Sequence, residues 1–318
     1  MNFDIEKHTI YLAKAGSHSY GTSMPESDLD FKGVAIPPRR YVLGFAKTFE
    51  QHEAKTAAEK PDEDAKDIVI FGLQKFMRLA AGCNPNIVEA LYVEHEDIQG
   101  MTDEGFLLRR NRDLFVSKKA EETFSGYAMG QLHRIKTHRK WLLEPPKAAP
   151  TREQFGLAPN MKITPDMMGA FDKLTESGTQ VSSNVMELVQ NEKRYKAASE
   201  HWNQYMHWVK SRNPVRAELE ARSGYDTKHA MHLVRLMRMC KEILTTGYVL
   251  VRRPDAEELL AIRRGAWSYD ALVAWAEAER VQIKELVKTS TLREEPDYDA
   301  LDGLCVQLLE QFWARNPD

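Results

Sequence analysis

Asp28 and Asp30 stand two residues apart at the head of an apolar run, LDFKGVAI, and a Gly16-Ser17 turn lies just upstream. In an extended strand, residues two apart project from the same face, so both carboxylates point one way. Like charges that close repel, and burying them uncompensated is costly, so such a pair faces water or a cation. Mg²⁺ (or Mn²⁺) suits the pair, as a hard ion served by one or two carboxylates together with substrate phosphates. The Gly-Ser turn offers backbone N–H groups and a hydroxyl to a phosphate, and Gly21 and Thr22 extend it. Together these residues read as a metal-dependent site for a nucleotide. The plain alternative is an exposed acidic start to a strand, with Ser27 and Asp28 in a local turn and the glycines serving turn geometry alone.

The elements that must hold these groups follow from the pattern. Residues 10–15 are expected as a strand, 17–24 as a short helix or turn, and 29–36 as a second strand stopped by Pro37-Pro38. The polar stretch 51–66 is expected to be a loop. From 68 to 81, Ile70, Phe71, Leu73, Phe76, Met77 and Ala80 recur at helical spacing, and Gly82 closes that helix. Asn84-Pro85 begins another short helix carrying Ile87, Val88 and Leu91, with cap and backbone roles expected for Asn84 and Glu89. Beyond Thr102 the chain reads as largely helical. A long helix is expected over 117–143, with Phe124, Tyr127, Ala128, Leu132 and Ile135 on one face. Residues 144–183, rich in Pro, Gly, Ser and Thr, are expected to be a mobile loop or insertion. Helices resume over 184–211, 226–246, 255–264, 268–289 and 299–314.

At 318 residues the chain can bury one large core or two ordinary ones, and 42% hydrophobic with 29% charged residues belongs to a globular protein. No uninterrupted apolar run approaches transmembrane length, so no membrane partner is expected. The start, MNFDIEKHTI, lacks the parts of a signal peptide, which makes a cytoplasmic location the expectation. Cys83, Cys240 and Cys305 are odd in number and far apart, so they read as buried thiols rather than a disulfide framework or a zinc pattern. A net charge of −3 gives no global attraction to a polyanion, and a nucleic acid would need a local basic patch.

Two such patches exist in the sequence. On a helix starting near Thr227, Lys228, His232 and Arg235 share a face, with His229 on the adjacent stripe and Arg238 beyond. That stripe suits a triphosphate or a nucleic-acid backbone, with lysine as a point charge and arginine as a fork; a solvated helix face is the alternative. The i, i+3 spacing of His229 and His232, without a local acid, argues against a metal role. His133, Arg134, Lys136, His138, Arg139 and Lys140, near Tyr127, Gln131 and Trp141, form the second patch. It suits a nucleic-acid strand, but cations favourable to the dipole at a helix end explain most of it without a ligand. Trp202, Tyr205, His207 and Trp208 read as packing.

The ordered string Gly16-Ser17-His18-Ser19-Tyr20-Gly21-Thr22, then Ser27-Asp28-Leu29-Asp30, resembles the DNA polymerase β-type nucleotidyltransferase superfamily. With Asn84–Glu89 and Gly224–Leu236, it resembles more narrowly the RNA repair pathway branch of that superfamily. The resemblance implies an α+β fold: a small mixed-sheet catalytic domain, drawn here as 1–105, followed by a mainly α-helical domain over 106–318. It implies transfer of a nucleoside monophosphate from an NTP to an acceptor hydroxyl, an RNA or tRNA 3′ end, with release of pyrophosphate. Asp28 and Asp30 would hold Mg²⁺ (or Mn²⁺) with a third carboxylate from a neighbouring strand; that acid is taken as Asp67, with Glu50 and Glu53 as alternatives. Gly16, Ser17 and Tyr20 would bind the nucleotide, and Lys228, His229, His232 and Arg235 would balance the charge of its triphosphate. Transfer to a protein or small molecule, and a nucleotide-binding regulator without catalysis, are the competing readings.

Overall fold

A computed structural model describes residues 3–25, 27–56, 66–160, 163–177, 181–212 and 214–317. A five-stranded mixed sheet forms the centre of the first part: β1 Thr9–Ala15, β2 Leu29–Ala35, β3 Gln51–Thr56, β4 Lys66–Gly72 and β5 Ile98–Met101, in the order β3-β4-β2-β1-β5. β2 runs antiparallel to β1 and parallel to β4, while β3 lies antiparallel on the outer side of β4. The fold is α+β, as the sequence implies: this sheet, then helices through the rest of the chain.

Two expectations in the first hundred residues are corrected. The described part of 51–66 begins with strand β3 rather than a loop, and 57–65 lies outside the described residues. β3 is polar because it sits at the edge of the sheet, where backbone pairing with β4 holds it and charged side chains discourage further pairing. The helix drawn from 68 is in fact two elements: Lys66–Gly72 is strand β4, and the helix runs Leu73–Ala81. The continuous run Ile68–Phe71 imitates a helical face, but it belongs to an interior strand, where both faces are covered and alternation is lost.

The chain divides into two compact units at places other than the boundary after residue 105. One joins residues 1–135 to 227–318; the other is 136–226. In the second unit the expected loop over 144–183 holds a short turn of helix, Glu153–Phe155, and a full helix, Pro165–Glu176. Ser183–Ser211 follows, then Pro214–Ser223, which the pattern does not announce. Trp141, Tyr205 and Trp208 pack ring against ring, with Trp141 Nε1 donating to His201 Nε2 at 2.9 Å, so packing is their visible role. A buried pair, Arg152 with Glu192 at 2.7 Å, ties the Glu153 turn to the long helix.

In the first unit the helix Thr227–Thr246 buries one continuous apolar face, including Met231, Val234, Met237, Cys240 and Leu244. It packs against Tyr269–Thr289, Ala256–Arg263 and the wide turn Glu121–Ser125. The Glu121–Ser125 turn has π geometry, and after it Tyr127 stands exposed while Phe124, Ala128, Leu132 and Ile135 are buried as expected. Among the cysteines, Cys83 and Cys240 are buried and Cys305 is half-buried, all as free thiols.

One polar contact crosses this apolar packing. Arg235 Nη1 donates to Glu89 Oε1 at 2.7 Å, and Tyr20 Oη donates to Glu89 Oε2 at 2.5 Å. The guanidinium also lies 3.8 Å from the centroid of the Tyr20 ring. Both charged side chains are about 5% exposed, so neither ion keeps its hydration and each depends on the other. Removing the cation alone leaves Glu89 uncompensated: Arg235→Ala is expected to lower stability by about 3–5 kcal/mol in urea unfolding. The paired change Arg235→Met with Glu89→Gln is expected to recover much of that loss.

Candidate functional site

Strand register brings the acidic residues together. Asp30 is the parallel partner of Asp67 across β2 and β4, and the antiparallel partner of Ala15 across β2 and β1. Paired residues share a face, so Ala13, Ala15, Asp30, Lys32, Asp67, Val69 and Phe71 look the same way. Asp28, just before β2, is exposed; Asp30 and Asp67 are half-buried. Of the alternative acids, Glu50 is engaged by Lys75 at 2.8 Å, and Glu53 lies one strand further out, opposite Val69. Asp67 itself meets Lys55 at 2.9 Å, a pair whose lysine is 74% exposed and which therefore holds it weakly.

Above Asp30 sits the turn. Gly16 opens the helix Gly16–Tyr20 with φ of +66°, and Gly21 closes it with φ of +74°, conformations that side chains with a Cβ rarely adopt. A Cβ on Gly16 would come within 2.3 Å of Asp30 Oδ2. Glycine is therefore what allows the phosphate-type turn and the carboxylate to share one place. Ser17 is half-buried, and Thr22 is buried with its backbone N–H on the Ser17 carbonyl at 2.9 Å. The far end of the helix is pinned three ways: Arg253 N donates to Tyr20 O at 3.0 Å, Arg252 Nη1 reaches His18 O at 3.4 Å, and Tyr20 Oη reaches Glu89.

These parts surround a cleft of about 450 Å³. Ala15, Gly16, Asp30, Lys32 and Phe71 form one side, and Leu79, Asn84, Asn86, Ile87, Glu89 and Val93 the other. Tyr11 Oη donates to Ala90 O at 2.7 Å and so fastens the second wall to β1. Asn84 caps the short helix Pro85–Val88 by accepting from Asn86 N at 3.1 Å, the cap role expected of it, and its amide also donates to Tyr127 Oη at 3.2 Å.

The electrostatics of the cleft centre on Asp30. Burial raises the Asp30 carboxyl above its usual value, and Asp67 and Asp28 raise it further, while Lys32 and Lys228 oppose them. Asp30, whose ionised form is disfavoured and which lines a cleft that Gly16 keeps clear, offers a hard oxygen donor of the kind that suits Mg²⁺ or Mn²⁺. Sequence reasoning passed over Lys32, whose signal is the same alternation that pairs Asp28 with Asp30.

The basic stripe is redistributed. Lys228 is exposed and near enough to Asp30 to act on it. Arg235 is instead consumed by Glu89 and Tyr20, so its place in the triphosphate set is corrected to that of a buried brace; Tyr20 likewise spends its hydroxyl on Glu89. Glu89 has more than the backbone role expected for it, and its sequence signal is an acid inside the apolar string NIVEALYV. His232 is held well below the ordinary imidazole value by burial first, then by Arg235, Lys228, His229 and Arg263. It is therefore neutral at pH 7 and supplies no cation. His229 is half-buried beside it. Arg238 is engaged by Asp255 at 2.6 Å and Glu258 at 2.8 Å.

Residues 3–143 match the RNA repair pathway DNA polymerase beta family, the branch that the motifs resemble. An uncharacterized 38.9 kDa protein of the nrdC-mobD intergenic region of Enterobacteria phage T4 is 31% identical over 126 residues, covering 39% of this chain and 37% of that protein. The uncharacterized protein YcgL of Bacillus subtilis (strain 168) is 24% identical over 164 residues, covering 49% of this chain and 60% of that protein. The chain thus aligns with less than two thirds of either relative.

Gly16→Ala is expected to destabilise the fold by at least about 1–2 kcal/mol from the left-handed backbone alone, with the Asp30 collision adding to it, as read in a thermal melt. His232 sets a pH dependence. Its folded value lies below its unfolded one near 6.5, so between the two the unfolded chain binds the extra proton and stability falls as pH drops. His232→Gln is expected to shrink the difference in urea midpoint between neutral and mildly acidic buffer.

Proposed function

We propose that this chain is a metal-dependent nucleotidyltransferase that moves a nucleoside monophosphate from an NTP to an acceptor hydroxyl and releases pyrophosphate. The observation that carries this reading is the placing of Asp30, paired laterally with Asp67, against Gly16 at one cleft. Asp28, Asp30 and Asp67 would hold Mg²⁺ or Mn²⁺, which supplies Lewis-acid charge stabilisation at the phosphoryl group. The Gly16 and Ser17 backbone and the Ser17 hydroxyl bind the triphosphate, and exposed Lys228 balances its charge. Asp67 accepts the proton of the acceptor hydroxyl. The hydroxyl oxygen bonds to the α-phosphorus as the bond from that phosphorus to the bridging oxygen breaks, and pyrophosphate leaves with the electron pair.

An RNA 3′ end, including that of a tRNA, is the acceptor favoured by the description of the matching family. A net charge of −3 favours the second reading, transfer to a protein or small molecule. The two separate on incubation with each α-radiolabelled NTP, Mg²⁺ and total RNA or cell lysate. The RNA reading expects label that nuclease removes and protease does not; the reverse pattern moves the acceptor to protein. Asp28→Ala and Asp30→Asn are expected to cut transfer at least about a hundredfold, the scale of losing one preorganised electrostatic contact, while the folded spectrum persists. NTP that stabilises the protein without ever being turned over would leave only the regulator reading.

A further inference from the structure

Lys32 has no place in the assignments above, yet it stands beside the reactive centre. It follows Asp30 by two residues on β2, shares its strand face and lines the same cleft. Its lateral partners are Ala13 on β1 and Val69 on β4, neither of which can receive a hydrogen bond from an ammonium side chain. The side chain is half-buried, and among the described residues it makes no hydrogen bond or ion pair. Lys55, on the edge strand β3, differs: it is bonded to Asp67.

An ammonium group withdrawn from water and left without a hydrogen-bonded partner is costly, unless a ligand completes it. Asp30 alone does not complete it, because Asp30 is one of the three carboxylates set to receive a cation. What the position offers is a donor lining the same cleft as Gly16, on the strand face that carries Asp30. We propose that Lys32 is a catalytic residue, its ammonium donating to a non-bridging oxygen of the α-phosphoryl group undergoing transfer. The inference rests on the nucleotidyltransferase reading and adds to it. Lys32 forms no covalent bond and loses no proton: it neutralises the charge that gathers on the equatorial oxygens as the acceptor oxygen approaches and pyrophosphate departs.

The test measures transfer from α-labelled NTP to total RNA or lysate with Mg²⁺, for the wild-type protein and for Lys32→Met, Lys32→Gln and Lys32→Arg. The methionine and glutamine variants are expected to lose about a hundredfold in kcat with KM for NTP changed by less than about threefold, since the contact strengthens only as charge develops. The arginine variant is expected to recover to within about tenfold of wild type, because it restores a cationic donor. NTPs carrying sulfur in place of either non-bridging α-oxygen separate contact from mere support. Wild type should be slowed by the diastereomer that puts sulfur against Lys32, and Lys32→Met should show little further loss on that substrate. A loss shared equally by the oxygen substrate and both sulfur substrates overturns the proposal, as does a methionine variant within about threefold of an active wild type. A wild-type protein inert with all four NTPs overturns the nucleotidyltransferase reading itself, and this proposal with it. Matching thermal midpoints exclude unfolding as the cause of any loss, and the glutamine variant stands in if methionine shifts the midpoint.

Discussion

The Arg235–Glu89 ion pair is the interaction on which the rest of the first unit turns. Two opposite charges are held out of water within an apolar interface, and their partner Tyr20 belongs to the helix that begins at Gly16. A helix of five residues has too few internal hydrogen bonds to be stable by itself. Its position is imposed from outside, by Glu89 from the cleft wall and by Arg235, Arg252 and Arg253 from the last third of the chain. The turn beside Asp30 is therefore as rigid as that buried pair allows. Such a pair adds little net stability over a well-packed apolar substitute, so its value is in fixing one arrangement of three segments.

Around the cleft the charges follow a different rule. Arg235, Arg238, Arg252 and Arg253 all have carboxylate partners and serve the scaffold. Lys55, beside Asp67, is held loosely, and Lys32 lines the cleft. Planar guanidinium groups, with their fixed forks, suit permanent pairing, whereas ammonium groups on flexible stems suit partners that come and go. Burial and the neighbouring Asp67 and Asp28 disfavour the ionised form of Asp30, a local cost that the fold carries.

Much of this was legible in the sequence where a single local pattern decides. The strands through Ile10 and Leu29 and the turn at Gly16-Ser17 follow from alternation and glycine placement. Strand β3 was not legible, because a polar edge strand is specified by its neighbour's backbone rather than by its own side chains. Tyr127 stands at the margin of the buried stripe of Phe124, Ala128, Leu132 and Ile135, and spacing alone does not say on which side of that margin it falls. The spacing of Lys228, His232 and Arg235 is read correctly as one stripe, but spacing does not say how deep a stripe is buried. Arg235 lies at its buried end, and only the distant Glu89 reveals why.

The distance along the chain between those two residues has a consequence for synthesis. Glu89 and Arg235 are 146 positions apart, with the whole of the second compact unit between them. At about 5–20 residues per second a ribosome needs roughly 7–30 s to pass from one to the other. For that interval the sheet, its three aspartates and the Gly16 helix have emerged without the arginine that braces them. The nascent chain thus carries a carboxyl group destined for burial that must remain hydrated, and the cleft wall closes late. Assembly of the site is timed by the arrival of one helix rather than by completion of the sheet that bears the aspartates.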